Sequence, residues 1–192
     1  MTPSDVEIMR RIQGGEVELF DLLVARYRSA LLRVAWSKLG NAAWAEDVVQ
    51  ETLLAAFAAR GSYKPQFAFR TWLWTILLNL CRRQWQRREG RPREQSCSGP
   101  DAWNANGAAE PSTGETGLAH ALRTERREHV HQLLLRLPEA QADALRLRFL
   151  AELPFAEIAL TMGSSLSAAK QRVRHGLLSL ATLLRDETGD ER

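Results

Sequence analysis

The sequence predicts an all-α protein made of two small helical domains, residues 1–94 and 118–192, joined by a flexible linker. Apolar residues recur at steps of three and four through both segments, which is the spacing of amphipathic helices. No stretch alternates with the period of a strand. Residues 95–117 differ, because they hold four glycines, two prolines and only acidic charge. Such a composition favours a tether over a packed element.

Glycines and prolines set the predicted helix boundaries. The first domain has four predicted helices, at residues 4–13, 16–39, 43–60 and 69–88. The second domain has four more, at residues 118–137, 139–150, 155–162 and 165–185. Most of the breaks contain glycine: Gly14, Gly15, Gly40, Gly61 and Gly163. Pro138 and Pro154 each precede a helix, because proline fits a first helical turn.

The positive charge is concentrated in the first domain. The net charge is only +3, but residues 1–94 hold fifteen Lys and Arg against ten Asp and Glu. Much of the excess lies at the end of the fourth helix and just beyond it, at Arg82, Arg83, Arg87, Arg88, Arg91 and Arg93. Such a cluster suits a phosphate backbone, since each neutralised phosphate releases counterions. A solvated helix end favoured by the helix dipole is the alternative.

Composition argues against an enzyme, a metalloprotein or a membrane protein. No paired carboxylates, nucleophile–base pair or metal cluster stands out, so we expect no catalytic residue, cofactor or metal. Cys81 lies in an apolar helix and is predicted to be a small core residue. His129 and His131 are two apart and would face different directions. With a polar N-terminus and no apolar stretch long enough for a bilayer, the protein is expected to be soluble and intracellular.

The C-terminal residues 155–184 fit a helix, a glycine-containing turn and a second helix. Ser165 is placed to cap the second helix. Six residues of that helix are predicted to face the core: Leu166, Ala169, Val173, Leu177, Leu180 and Leu184. Another face presents Ser167, Lys170, Gln171 and Arg174, which is the kind of surface that a DNA major groove demands. An ordinary amphipathic helix with a basic wet side is the alternative.

The third helix carries an acidic face beside an apolar stripe. The stripe consists of Ala45, Val48, Val49, Thr52, Leu53, Ala56 and Phe57. From another side project Asp47, Gln50, Glu51 and Leu54. Because acidic side chains repel DNA, this face is predicted to meet a basic protein surface, with a merely solvated face as the alternative.

The fourth helix combines aromatic residues with a polar interruption. Asn79 breaks its apolar run, and its amide needs a partner, either within the protein or on an unstacked base. Trp74, Trp85 and Tyr63 are predicted to offer stacking planes for bases, whereas Trp72 is assigned to the core.

These residues carry a resemblance to a known family. Residues 45–57, AEDVVQETLLAAF, and 69–88, FRTWLWTILLNLCRRQWQRR, resemble region 2 of the bacterial sigma-70 factors. Residues 133–163 with the helix that follows resemble region 4. With only these two regions and a short linker, the chain is similar to the extracytoplasmic-function (ECF, group IV) sigma factors.

The resemblance implies a cytoplasmic, non-catalytic RNA polymerase subunit that reads the −35 and −10 promoter elements and starts DNA melting. It implies that four residues lie on the surface that docks the β′ clamp helices: Asp47, Gln50, Glu51 and Leu54. It implies that seven residues recognise and melt the −10 element: Ser62, Tyr63, Lys64, Asn79, Arg82, Arg83 and Arg87. It assigns to the −35 element Arg148, Ser165, Ser167, Lys170, Gln171, Arg174 and His175.

The resemblance also implies partners beyond the clamp helices. These are promoter DNA, the β flap of the polymerase, and an anti-sigma factor, often membrane-anchored, whereas the chain itself does not insert into a membrane. Two departures fall on the last helix: Ser167 to Ala169 replace a frequent Gly-Thr-Val, and His175-Gly176 replaces a usual Arg-Ala. The competing interpretation is a stand-alone helix-turn-helix regulator that binds palindromic sites as a dimer.

Overall fold

The computed structural model describes residues 3–89 and 117–189, and the chain divides into two compact units, Met1–Ser98 and Gly99–Arg192. Every regular element in these described ranges is helical, and no strand occurs among them. The predicted all-α fold class is therefore confirmed. The predicted linker lies, apart from its last residue, outside the described residues, as do Arg91 and Arg93.

The N-terminal unit contains helices α1 Asp5–Gln13, α2 Phe20–Leu39, α3 Ala42–Ala58 and α4 Phe69–Glu89. Short 3-10 turns lie at Val17–Leu19 and Arg60–Ser62. Gly40 ends α2 with a positive φ of 64°, a conformation that costs glycine little. Asn41 then caps α3 by accepting a hydrogen bond from the Trp44 amide at 3.0 Å. The left-handed glycine and the asparagine cap together reverse the chain, so that α3 packs against α2.

The core of this unit lies among α2, α3 and α4, with α1 packed on its side. The buried side of α3 consists of small residues and valines: Ala45, Val48, Val49, Thr52 and Ala56. Its one hydroxyl, on Thr52, donates to the Val48 carbonyl at 2.7 Å and so is satisfied without water. The predicted stripe is confirmed at these five positions, while Leu53 and Phe57 are only half-buried.

One tryptophan assignment on α4 was wrong. Trp74, predicted as a stacking plane, is 1% exposed, whereas Trp72, predicted as core, is half-buried. The reason lies in the helical period: Trp74 shares its face with Leu77, Leu78 and Cys81, all of them buried. Trp72 lies at the border of that face, and Trp85 is also half-buried. The prediction of Cys81 as a core residue is confirmed.

The C-terminal unit contains α5 Gly117–Leu135, α6 Glu139–Phe149, α7 Phe155–Thr161 and α8 Leu166–Gly189. Its core is formed chiefly by Leu133, Leu134, Leu145, Leu147, Leu153, Ile158, Ala169 and Val173. Gly163, with a positive φ of 57°, lies in the turn between α7 and α8. Helices α7 and α8 pack together and form the predicted helix-turn-helix.

The buried stripe of α8 differs from the predicted one. Ala169 and Val173 are buried as expected, but the next buried residue is Gly176. Leucines predicted to be core are instead 43–47% exposed: Leu166, Leu177 and Leu184. The cause is a close helix crossing, because a Cβ at Gly176 would lie 2.9 Å from Cδ1 of Leu145. Glycine at position 176, which a count of apolar residues overlooks, lets the backbone of α8 contact the Leu145 side chain of α6.

Candidate functional site

One face of α3 is open and acidic. Asp47, Gln50, Glu51 and Leu54 are all exposed, at positions i, i+3, i+4 and i+7 of one helix, and so share one side. Leu54 is 61% exposed although it is apolar. Among the side chains that the structure describes, neither carboxylate has an ion-pair partner. The face therefore presents two uncompensated charges beside an exposed leucine.

The turn that follows α3 is held by local hydrogen bonds. Ser62 donates from its hydroxyl to the Ala59 carbonyl at 2.8 Å, so this side chain is engaged in the turn. The Arg60 guanidinium lies 4.3 Å from the centre of the Phe57 ring and donates to the Phe57 carbonyl at 2.9 Å. Lys64, by contrast, is exposed. Of the predicted loop residues, Lys64 is thus the one that offers its side chain outward.

Tyr63 supports the loop from below. It is 5% exposed, and its ring packs 5.9 Å from the Phe69 ring and 5.7 Å from the Trp72 ring. Its hydroxyl donates to the Phe67 carbonyl at 2.8 Å, and burial raises the pKa of this hydroxyl. The prediction that Tyr63 offers a stacking plane was therefore wrong, because its ring is covered by neighbouring aromatic rings.

Phe67 is an aromatic residue that the sequence analysis missed. It is 52% exposed, in the loop just before α4. Its amide donates to the Lys64 carbonyl at 3.1 Å, and its carbonyl accepts the Tyr63 hydroxyl. The Phe67 ring is thus exposed, while the N–H and the carbonyl of the same residue are both hydrogen-bonded. The sequence did contain a signal for this residue. Phe67 lies outside every predicted helix, so no apolar stripe assigns it to the core.

Asn79 lies on the exposed side of α4. Its Oδ1 accepts from Arg82, one turn later, at 3.5 Å, which is a long hydrogen bond. Arg83 and Arg87 are exposed further along the same helix. The amide is at the surface, so its partner Arg82 is a surface residue and not a core group. The helix therefore presents an amide followed by several guanidinium groups.

The outward face of α8 is basic and polar. The five residues of α8 that the resemblance assigns to the −35 element are all exposed: Ser167, Lys170, Gln171, Arg174 and His175. In the described parts of the chain, the side chains of Lys170, Gln171 and Arg174 have no hydrogen-bond or ion-pair partner. Ser165 accepts from the Ala168 amide at 3.1 Å, which confirms its prediction as the helix cap.

Arg148 is separated from the other −35 candidates, because it lies on α6 and not on α8. Its guanidinium donates to the Leu153 carbonyl at 3.0 Å and lies 5.1 Å from the centre of the Phe155 ring. These contacts tie the end of α6 to the start of α7. Arg148 therefore stabilises the helix-turn-helix by linking α6 to α7.

The two units match two family models. The model of sigma-70 region 2 matches residues 23–91, and the model of sigma-70 region 4 matches residues 127–180. The RNA polymerase sigma-H factor of Pseudomonas aeruginosa is 31% identical over 170 residues, covering 88% of each chain. The ECF RNA polymerase sigma-E factor of Escherichia coli is 29% identical over 172 residues, again covering 88% of each. The chain therefore belongs to the sigma-70 family, as a sigma factor of the ECF type.

Solved structures share the fold. One is the structure of CnrH in complex with the cytosolic domain of CnrY, which aligns over 96% of this chain and 99% of the matched chain. The TM-score is 0.73 and the sequence identity is 24%. RpoE in complex with the anti-sigma factor NepR from Bartonella quintana covers 86% and 96%, with a TM-score of 0.62 at 23% identity. In the part of the chain that the structure describes, no helix is long and apolar enough to cross a membrane.

Proposed function

We propose that this sigma factor docks core RNA polymerase through the exposed face of α3. The observation that carries this proposal is the pair of uncompensated carboxylates, Asp47 and Glu51, beside the exposed Leu54. Uncompensated acidic groups favour a basic partner, and an exposed leucine adds apolar area at the centre of a contact. The β′ clamp helices are the proposed partner of this face, and the β flap is the proposed partner of the C-terminal unit.

In the C-terminal unit, α8 enters the major groove of the −35 element. Lys170, Gln171 and Arg174 extend from one exposed helix face, with short Ser167 near the helix start. Long donors can reach base edges, and a helix start can approach a phosphate closely. Arg148 holds the preceding helix in place, so that its contribution to −35 recognition is largely indirect.

In the N-terminal unit, the loop after α3 and the exposed side of α4 recognise and melt the −10 element. Phe67 supplies the stacking platform, Lys64 and the α4 arginines neutralise phosphates, and the Asn79 amide bonds an extruded base. Extruding a base costs a few kcal/mol in lost stacking and pairing, which these contacts offset. The chain performs no chemistry of its own in this scheme.

An anti-sigma factor is the proposed regulator, acting in the bacterial cytoplasm. Support comes from the solved relatives, one bound to the cytosolic domain of CnrY and another to the anti-sigma factor NepR. A membrane anchor on that partner is a further part of the proposal. The stand-alone regulator is not favoured, because the chain matches a region 2 model as well as a helix-turn-helix region.

Footprinting of promoter DNA with and without core RNA polymerase tests this function. We expect the purified chain alone to give no extended footprint, and the reconstituted holoenzyme to protect both elements and to open the DNA around −10. A footprint on a palindromic site formed without polymerase, by a chain that elutes as a dimer, would instead establish the stand-alone regulator.

A further inference from the structure

Gln13, the last residue of α1, is hydrogen-bonded to the turn that begins the loop of residues 63–68, named the −10 loop after its proposed role. Its side-chain nitrogen donates to the Arg60 carbonyl and to the Tyr63 carbonyl, both at 2.9 Å. A glutamine amide carries two donor hydrogens, so one side chain satisfies both acceptors. These carbonyls flank the Gly61-Ser62 peptide at the start of the loop.

Helix α1 is a firm base for this side chain. Ile8, Met9 and Ile12 are at most 2% exposed, so the helix is fixed in the core by its apolar face. At its other end, the Asp5 carboxylate accepts hydrogen bonds from Arg26 and from the Tyr27 hydroxyl of α2. Both ends of α1 are therefore anchored, and the Gln13 amide is held where the loop begins.

The loop has little burial of its own to fix it. All residues from 64 to 68 are exposed, and Tyr63 is the buried residue beneath them. The Gln13 bond to the Tyr63 carbonyl thus acts on the residue whose hydroxyl holds Phe67. A displacement of the Tyr63 backbone is therefore expected to shift the Phe67 backbone through this hydroxyl, and with it the ring that Phe67 carries.

We propose that Gln13 is a positioning residue for −10 recognition: it fixes the loop that carries Lys64 and Phe67, and so sets base selectivity without touching DNA. This inference rests on the proposed role of the loop in reading the −10 element. A residue with a merely structural role would change stability and leave base preference as it is.

Gln13→Met tests the proposal, because methionine is close in length to glutamine and donates no hydrogen bond. The holoenzyme carrying each variant transcribes a promoter library randomised across the −10 element, with an unchanged −35 element. We expect Gln13→Met to reduce the preference for the best −10 sequence over single-base variants by about tenfold, the loss of one or two hydrogen bonds. Affinity for core polymerase should not change, and Gln13→Ala should behave alike.

Arg11→Ala is the matched control. Arg11 lies on α1 two residues before Gln13, and its Nε donates to the Glu16 carboxylate at 2.9 Å. The substitution removes this ion pair and leaves the Gln13 hydrogen bonds in place. The −10 preference should be unchanged in this variant. Wild-type preference in Gln13→Met, alongside altered preference in Lys64→Ala and Phe67→Ala, would overturn the positioning role alone. Wild-type preference in all three would overturn the role of the loop, and that of Gln13 with it.

Discussion

On α8 the candidate DNA-reading side chains project from a single regular helix, whereas the −10 loop is held by contacts from α1 and α4. Lys170 and Arg174 owe their shared direction to the helical period and to the Ser165 cap. Phe67 owes its place to Tyr63, and Tyr63 to Gln13 and to neighbouring rings. A helix face can thus be altered one side chain at a time, while the loop depends on residues far away in sequence.

Reversing the acidic face of α3 should give the largest effect. We expect Asp47→Arg combined with Glu51→Arg to abolish core polymerase binding while the fold stays intact, because like charges across an interface cost several kcal/mol. Glu18→Arg combined with Asp21→Arg is the control, since it changes the same charge at exposed carboxylates of the same unit. Titration of core enzyme gives the affinities, and normal binding by the first variant would contradict the docking face.

The second prediction sharpens the comparison at α8. Lys170→Ala and Arg174→Ala should each weaken promoter binding by about 1–3 kcal/mol at a −35 element, and leave core binding unchanged. Because neither side chain has a partner in the described protein, stability should not change. Arg126→Ala, at an exposed arginine of α5, removes the same charge as a control. Equal transcription by all three variants from a −35-dependent promoter would refute the assignment.

A third prediction concerns Asn79, on the side of α4 that is proposed to melt the −10 element. Asn79→Ala should leave closed-complex binding nearly unchanged and reduce open-complex formation by roughly 1–3 kcal/mol, the value of one or two hydrogen bonds. Since Asn79 is exposed, the melting temperature should remain that of the wild type. Permanganate footprinting alongside a thermal melt measures both. A destabilised protein that opens promoters normally would show that the amide has a structural role after all.

The smallest effect is expected at the α6–α8 crossing. Gly176→Ala gains about 1 kcal/mol of helix propensity, but overpacking against Leu145 costs about 1–3 kcal/mol. We expect a net loss of roughly 1 kcal/mol in unfolding free energy by denaturant titration. Leu145→Val should cost less in this background than in the wild type. A stabilised single variant would mean that Leu145 moves aside freely.

Helix positions were predictable because apolar period and glycine breaks are local signals. The exposed side of α3 followed from the same period, since a buried stripe fixes the opposite face. Trp74 was misassigned because Trp72 and Trp74 are both apolar, and only the side of α4 that the core covers distinguishes them. Gln13 could not be found at all, since its partners lie 47 and 50 residues away in sequence. Hydrogen bonds between residues this far apart produce no periodic pattern in the sequence.

The glycine at the α6–α8 crossing has a mechanical consequence. Where helices are separated by long side chains, rotamer changes can absorb a load as a soft layer would. At Gly176 the backbone of α8 lies directly against the Leu145 side chain, with no side chain of its own between them. A displacement of α8 at this point, such as one caused by docking of a partner on its outer face, is therefore expected to move Leu145, and α6 with it.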